Sequence, residues 1–315
     1  MKEPLIVISG PTGVGKSAIS IDIAKDLGCE IVSADSVAVY RGFDIGSAKI
    51  RPEETGGIPH HLIDCLDADE PFDVVRFVEM AKSAAAEIRE HGKIPLIVGG
   101  TAFYIQALVK DIPFEEEDED TSYRNGLEKM VEEGKSGEVV AMLEEVDPES
   151  ARRIHPNNIR RIIRALEFHK KNGYPICEHN DRMMNLPAAY NCAYFVLTDE
   201  REKVYAGIDS RVDIMLEQGL VEEVKGLRGS GVPADCSPMQ SLGYAQINSY
   251  LDGEISYEEA VRLIKRDTRH FAKRQLTWFR REKNVIFVNK GDFDHDADRI
   301  KEYIREKALE IIEGQ

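Results

Sequence analysis

Missing from this 315-residue chain is any apolar run approaching the ~20 residues that cross a bilayer as a helix. Tryptophan appears once, at Trp278, and the five cysteines (Cys29, Cys65, Cys177, Cys192, Cys236) include no pair at C-x-x-C spacing. That scattered, odd-numbered set implies neither a disulfide framework nor a zinc site. Positive charge is in deficit: 41 Lys and Arg stand against 57 Asp and Glu, a net charge of −16. On its face this balance argues against a nucleic-acid partner. Met1-Lys2-Glu3-Pro4 and the short apolar stretch to Ser9 carry no signal-peptide pattern, so a cytoplasmic protein is expected.

What is present points to a folded enzyme-sized chain. A hydrophobic content of 42% supports a buried core, and the length suits one large α/β domain with a smaller module. The acid is local: residues 115–120 read EEEDED, with Glu132-Glu133 and Glu144-Glu145 following. Two windows run the other way. Residues 152–171 carry five arginines and two lysines against Glu167, and residues 262–283 carry nine cations against Asp267 and Glu282. Such windows are compatible with an RNA-binding surface.

Residues 5–9 (LIVIS), 30–34 (EIVSA) and 94–98 (IPLIV) read as buried strands, and 17–27 and 74–89 as helices. This alternation predicts a P-loop NTPase-like, doubly wound parallel sheet. From Glu115 to Pro187 the texture turns charged and helix-rich, which predicts an inserted helical domain at 115–187 within a core of 1–114 and 188–315. The sheet resumes at 192–198 (CAYFVLT). Helices at 201–218, 220–228 and 256–281 follow, then a strand at 285–288 and a last helix.

Gly10-Pro11-Thr12-Gly13-Val14-Gly15-Lys16-Ser17 matches G-x-x-x-x-G-K-[ST] between a predicted strand and a predicted helix. Glycines let successive amides curl inward around an anion. The helix N-terminus adds partial positive charge, Lys16 a full one, and Ser17 a hydroxyl ligand for Mg²⁺. The motif predicts a diphosphate without naming it, and a nucleoside triphosphate is its default occupant. The third strand, however, ends in Gly99-Gly100-Thr101, where a phosphotransferase commonly carries an aspartate, and Asp35 ends the second strand.

Eight segments in order carry a more specific resemblance: GPTGVGKS (10–17), SADSVAVYRGFDIGSAK (33–49), PHHLID (59–64), PLIVGGTAFYIQAL (95–108), RIHPNNIRRIIRALE (153–167), RVDIMLEQGLVEEV (211–224), SLGYAQ (241–246) and AKRQLTWFR (272–280). Together they resemble the tRNA dimethylallyltransferase (tRNA isopentenyltransferase) family over nearly the whole chain. The resemblance implies transfer of a dimethylallyl group from dimethylallyl diphosphate to N6 of adenosine 37 of tRNA, by a monomer using Mg²⁺. It also implies diphosphate binding by Gly10 to Ser17, a general base at Asp35, a positioning threonine at Thr101, and leaving-group stabilisation by Lys16 and Arg211. Implied tRNA contacts are Asp35, Ser36, Val37, Ala38, Thr101, Arg124, Arg160, Arg161, Ile162, Ile163, Arg164, Gln240, Gly243, Tyr244, Lys273, Arg274, Gln275, Trp278 and Arg280. The chain departs from the family at Gly13 (more often Ala), Val37-Ala38 (more often Arg-Gln), Ala245 (more often basic) and Tyr205-Ala206-Gly207, where a Glu-Arg pair is usual.

Plainer readings stand beside these. Asp35-Ser36 is a common turn pair, Thr101 suits a helix N-cap, and His60-His61 invites a metal that two adjacent strand residues cannot easily share. The run EEEDED reads as a flexible, solvated loop. Rival functions are a P-loop kinase, an isopentenyltransferase acting on free adenine nucleotides, and an RNA-binding protein with a degenerate P-loop.

Overall fold

The computed structural model describes residues 2–114 and 120–314, so all of the acidic run except Asp120 lies outside the described residues. Contacts divide the chain into two compact units, one of 1–111 with 188–315 and one of 112–187.

The first unit is built on six strands: β1 (Pro4–Ser9), β2 (Cys29–Ala34), β3 (His60–His61), β4 (Ile94–Gly99), β5 (Asn191–Thr198) and β6 (Ile286–Asn289). They lie in the order β3-β2-β4-β1-β5-β6, and every pairing is parallel. The central strands are apolar on both faces because helices cover both, as parallel sheets require. Ile6, Ile8, Leu96, Phe195 and Leu197 are fully buried, and each such side chain contributes roughly 1.5–3 kcal/mol of hydrophobic stabilisation. Helices α1 (Lys16–Leu27), α2 (Val74–Glu90) and α3 (Ala102–Lys110) connect or follow the early strands. Asp73 caps α2, accepting from the Arg76 amide at 2.9 Å.

The second unit is helical throughout its described elements: α4 (Ser122–Glu132), α5 (Ser136–Val146), α6 (Pro148–Arg153), α7 (Ile159–Asn172) and α8 (Ile176–Asn185). Its core gathers Leu127, Val139, Leu143, Ile162, Ile163, Ala165 and Leu166. Asp147 is wholly buried, caps α6 through the Ser150 amide at 2.9 Å, and accepts from the Cys177 thiol at 3.1 Å. Pro148 follows at the first helical position, where its missing N–H costs nothing.

The first unit closes with α9 (Arg201–Glu217), α10 (Leu220–Gly229), α11 (Tyr244–Leu251), α12 (Tyr257–Phe279) and α13 (Ala297–Glu313). Among the described residues no helix is long and apolar enough to cross a membrane. The short strand β3 is not part of the sequence reading. Its two histidines are half-buried and take register from Ile31 and Val32 of β2, a pairing that hydrophobic periodicity cannot signal.

Candidate active site

Four segments meet where four neighbouring strands end. The loop of residues 10–15 follows β1, Asp35 follows β2, Thr101 follows β4, and α9 with Arg211 follows β5. The adjacency β2-β4-β1-β5 brings them to one edge of the sheet, the edge where open α/β sheets bind ligands. A cavity of about 580 Å³ opens there, lined among others by Thr12, Gly15, Lys16, Ser17, Asp35, Thr101 and Arg211.

Close backbone approach builds this edge. A side chain at Gly10 would stand 2.4 Å from the Leu197 carbonyl, and one at Gly99 would stand 2.2 Å from the Ala34 carbonyl. The second contact draws the end of β4 onto the end of β2, and the Thr101 amide donates to the Ala34 carbonyl at 3.3 Å. Thr101 occupies the N-cap position of α3, yet its side chain makes no capping hydrogen bond. Position alone is that of a cap; the hydroxyl borders the cavity.

Two departures from the family pattern meet in space. A Cβ on Gly13 would lie 3.0 Å from Ile208, and one on Gly207 would lie 3.1 Å from the Gly13 carbonyl. Glycine at both positions lets α9 press on the loop, and Arg211 stands one turn further along that helix.

The ammonium of Lys16 is folded back onto its own loop, donating to the carbonyls of Gly10 (3.0 Å) and Pro11 (2.9 Å). Loss of water around it, and then the neighbouring Arg211 charge, bring its pKa down to about 7, with Asp35 opposing. Desolvation likewise lowers the Arg211 pKa, with Asp35 again opposing. Arg211 donates to the Ser47 carbonyl at 3.3 Å. Two cations held in poor solvation beside one carboxylate form a site that an incoming dianion relieves.

Asp35 is fixed by its own loop. Its Oδ1 accepts from the amides of Val37 (2.8 Å) and Ala38 (3.1 Å), and Oδ2 has no hydrogen bond among the described residues. The Asx turn expected of Asp-Ser is therefore present, and it aims a carboxylate at the cavity. Among the described residues Asp35 is the one carboxylate lining that cavity. A Mg²⁺ beside the loop fits the Ser17 hydroxyl, since Mg²⁺ keeps several waters and binds largely through substrate phosphate oxygens.

The remaining residues singled out in the sequence divide into three groups. Ser36, Val37, Ala38, Gln240, Gly243 and Arg274 line the cavity. Lys273 and Arg280 are exposed, as are Arg160, Arg161 and Arg164 on α7, whose charges make no ion pair among the described residues. Arg124 pairs with Glu167 at 2.8 Å, and the Trp278 ring packs on Phe103.

Four residues expected to touch tRNA have buried side chains. Ile162 and Ile163 belong to the core of the helical unit. Tyr244 is fully buried and gives its hydroxyl to Glu223 at 2.6 Å. Gln275, also buried, borders the cavity but spends its amide on Thr12 and Gly100. Ile162 and Ile163 sit in an apolar environment, and Tyr244 commits its hydroxyl within the protein; Gln275 keeps its place on the cavity wall. Val14, from the expected diphosphate set, is also a core residue.

His60 and His61 hold no metal arrangement. His61 Nε2 bonds Glu30 at 2.8 Å and His60 Nδ1 bonds the Ile58 carbonyl at 2.8 Å. Among the described residues no group of three His, Cys, Asp or Glu could hold an ion. Sequence reasoning gave no role to Ser47, Lys49, Ile50, Gln246 and Phe271, which also line the cavity. Lys49 brings no free charge, since it pairs with Asp44 and Asp64 at 2.6 Å each.

A family model described as IPP transferase matches residues 38–282. The chain is 51% identical over 303 residues to a tRNA dimethylallyltransferase of Lachnoclostridium phytofermentans, covering 96% of this chain and 97% of that one. Among solved structures, the full-length tRNA isopentenylpyrophosphate transferase of Bacillus halodurans is similar at a TM-score of 0.73 and 42% identity, over 98% of each chain. A eukaryotic dimethylallyltransferase acting on tRNA gives a TM-score of 0.75 at 27% identity, over 94% of this chain and 77% of that one.

Proposed function

This chain belongs to the IPP transferase family, and from that premise we propose that it is a tRNA dimethylallyltransferase, moving the five-carbon group of dimethylallyl diphosphate onto N6 of adenosine 37. One observation carries the reading beyond the relatives' names. A phosphate-type loop, a single carboxylate and a second desolvated cation converge on one cavity at the strand ends.

The chemistry needs those three parts. An exocyclic amine conjugated to a purine is a weak nucleophile, so the reaction depends on a stabilised leaving group and on removal of a proton. The N6 nitrogen attacks the allylic carbon, a C–N bond forms, and the C–O bond breaks with its electron pair leaving on pyrophosphate. The amides of the 12–17 loop, Lys16 and Arg211 take up the charge that develops there. Asp35, anchored through Oδ1, accepts the N6 proton on its other oxygen. Thr101 borders the path between them. A Mg²⁺ held by the Ser17 hydroxyl and the diphosphate would supply further charge neutralisation. Because N6 is reached only in an unstacked nucleotide, the target base enters the cavity flipped out of its loop.

The expected test is incubation of the chain with unmodified tRNA, Mg²⁺ and dimethylallyl diphosphate, followed by mass spectrometry of the digested RNA. An adenosine heavier by one prenyl group supports the reading. RNA of unchanged mass would overturn it.

A further inference from the structure

Glu223, on α10, is a carboxylate without a cationic partner among the described residues, yet it is not short of hydrogen bonds. Its Oε2 accepts from the amides of Asp44 (3.2 Å) and Ile45 (2.7 Å), and its Oε1 accepts from the Gly46 amide (3.2 Å) and the Tyr244 hydroxyl (2.6 Å). Three consecutive backbone amides thus converge on one side chain 177 to 179 residues away in sequence. Bonds to an ionised acceptor are shorter and roughly twice as strong as neutral ones. Tyr244 closes the arrangement from the other side: a Cβ on Gly46 would stand 2.4 Å from its ring, so only glycine fits there. Phe43 packs on the same ring at 5.0 Å.

What this pins is the segment that enters the cavity next. Gly46, Ser47, Ala48, Lys49 and Ile50 all line it, and the Ser47 carbonyl accepts a hydrogen bond from Arg211 at 3.3 Å. We infer that Glu223 is a positioning residue for prenyl transfer: by gripping the amides of residues 44–46 it sets the Ser47 carbonyl and, through it, the guanidinium of Arg211. This rests on the proposed role of Arg211 at the departing pyrophosphate. Glu223 touches no reacting atom. It acts on the leaving group through one loop and one arginine.

The test is a double-mutant cycle in the prenyl-transfer assay, with Glu223→Gln, Arg211→Gln and both together. A carboxamide in place of the Glu223 carboxylate can keep one oxygen's contacts and loses the other's, so Glu223→Gln lowers turnover about tenfold, the equivalent of one such pair of bonds. If the effect passes through Arg211, it vanishes when Arg211 is already gone, and the double variant turns over like Arg211→Gln alone. A double variant slower than Arg211→Gln by the full single-mutant factor would overturn the inference while leaving the Arg211 role intact. Arg211→Gln at the wild-type rate would instead overturn the leaving-group reading, and the inference with it. Should Glu223→Gln not fold, Tyr244→Phe, which removes one donor and keeps three, goes through the same cycle: a smaller loss that disappears in the Arg211→Gln background supports the inference, and one that persists overturns it.

Discussion

The backbone amide of Thr12 donates to Oε1 of Gln275 at 3.0 Å, which ties the glycine loop after β1 to the long helix α12. The same carboxamide gives its N–H to the Gly100 carbonyl at 2.9 Å, so one buried side chain bridges the ends of β1 and β4. A Gln275→Leu substitution removes both bonds and leaves the Gly100 carbonyl unpaired in a buried setting, at roughly 1–3 kcal/mol. The expected outcome is a lower melting temperature and a raised KM for dimethylallyl diphosphate, with tRNA affinity unchanged. Loss of tRNA affinity without loss of stability would return Gln275 to direct contact.

Asp35 offers the sharpest separation of chemistry from binding. Asp35→Asn keeps an oxygen to accept from Val37 and Ala38 but removes the base. Turnover is expected to fall by about 10²–10⁴, while the tRNA dissociation constant stays nearly constant. Equal losses in both would remove Asp35 from proton transfer.

Lys16 makes the site sensitive to pH. Its pKa is brought down to about 7 from the ordinary 10.5, so between those values the unfolded chain holds a proton that the folded chain has released. Stability of the ligand-free protein therefore rises with pH across that window through this group. Pyrophosphate favours the charged ammonium and raises the pKa again. Binding at pH 8 should then take up a proton, and affinity should fall as pH climbs above 7. Titration calorimetry in two buffers of different ionisation enthalpy measures that proton, and Lys16→Met should abolish it. Identical heats in both buffers for the wild type would contradict the assignment.

The exposed and the buried members of α7 should part company. Arg161→Ala with Arg164→Ala should weaken tRNA binding and flatten its dependence on salt by up to about two units of slope, since each phosphate contact accounts for ~0.7–0.9. Ile162→Ala should instead destabilise the helical unit, by roughly 2–5 kcal/mol as for other buried truncations, with the salt slope untouched. Melting curves and binding isotherms over a salt series separate the two. An unchanged slope in the arginine variant would mean that those side chains face solvent.

Much of the site was legible in the chain because its parts are local. The glycine loop, Asp35 and Gly99-Gly100-Thr101 each sit at the end of an apolar run, and parallel packing of those runs suffices to bring them together. Arg211 could not be placed that way: its helix shows no pattern that distinguishes it from a solvated arginine, and only the family resemblance singled it out. Glu223 was invisible for a different reason. Its partners are backbone amides, which have no sequence identity, and Glu222-Glu223 reads as an exposed helix face. The burial of Ile162, Ile163, Tyr244 and Gln275 is a tertiary fact. A motif reports that a residue type belongs in a segment, and does not say whether it faces ligand or core.

The most direct measurement of the central claim is the stoichiometry of a single turnover with dimethylallyl diphosphate and tRNA, with ATP also present. The account predicts one pyrophosphate released for each prenylated adenosine, with ATP left intact and Lys16→Ala abolishing both products together. Consumption of ATP with a phosphoryl group appearing on an acceptor would contradict it.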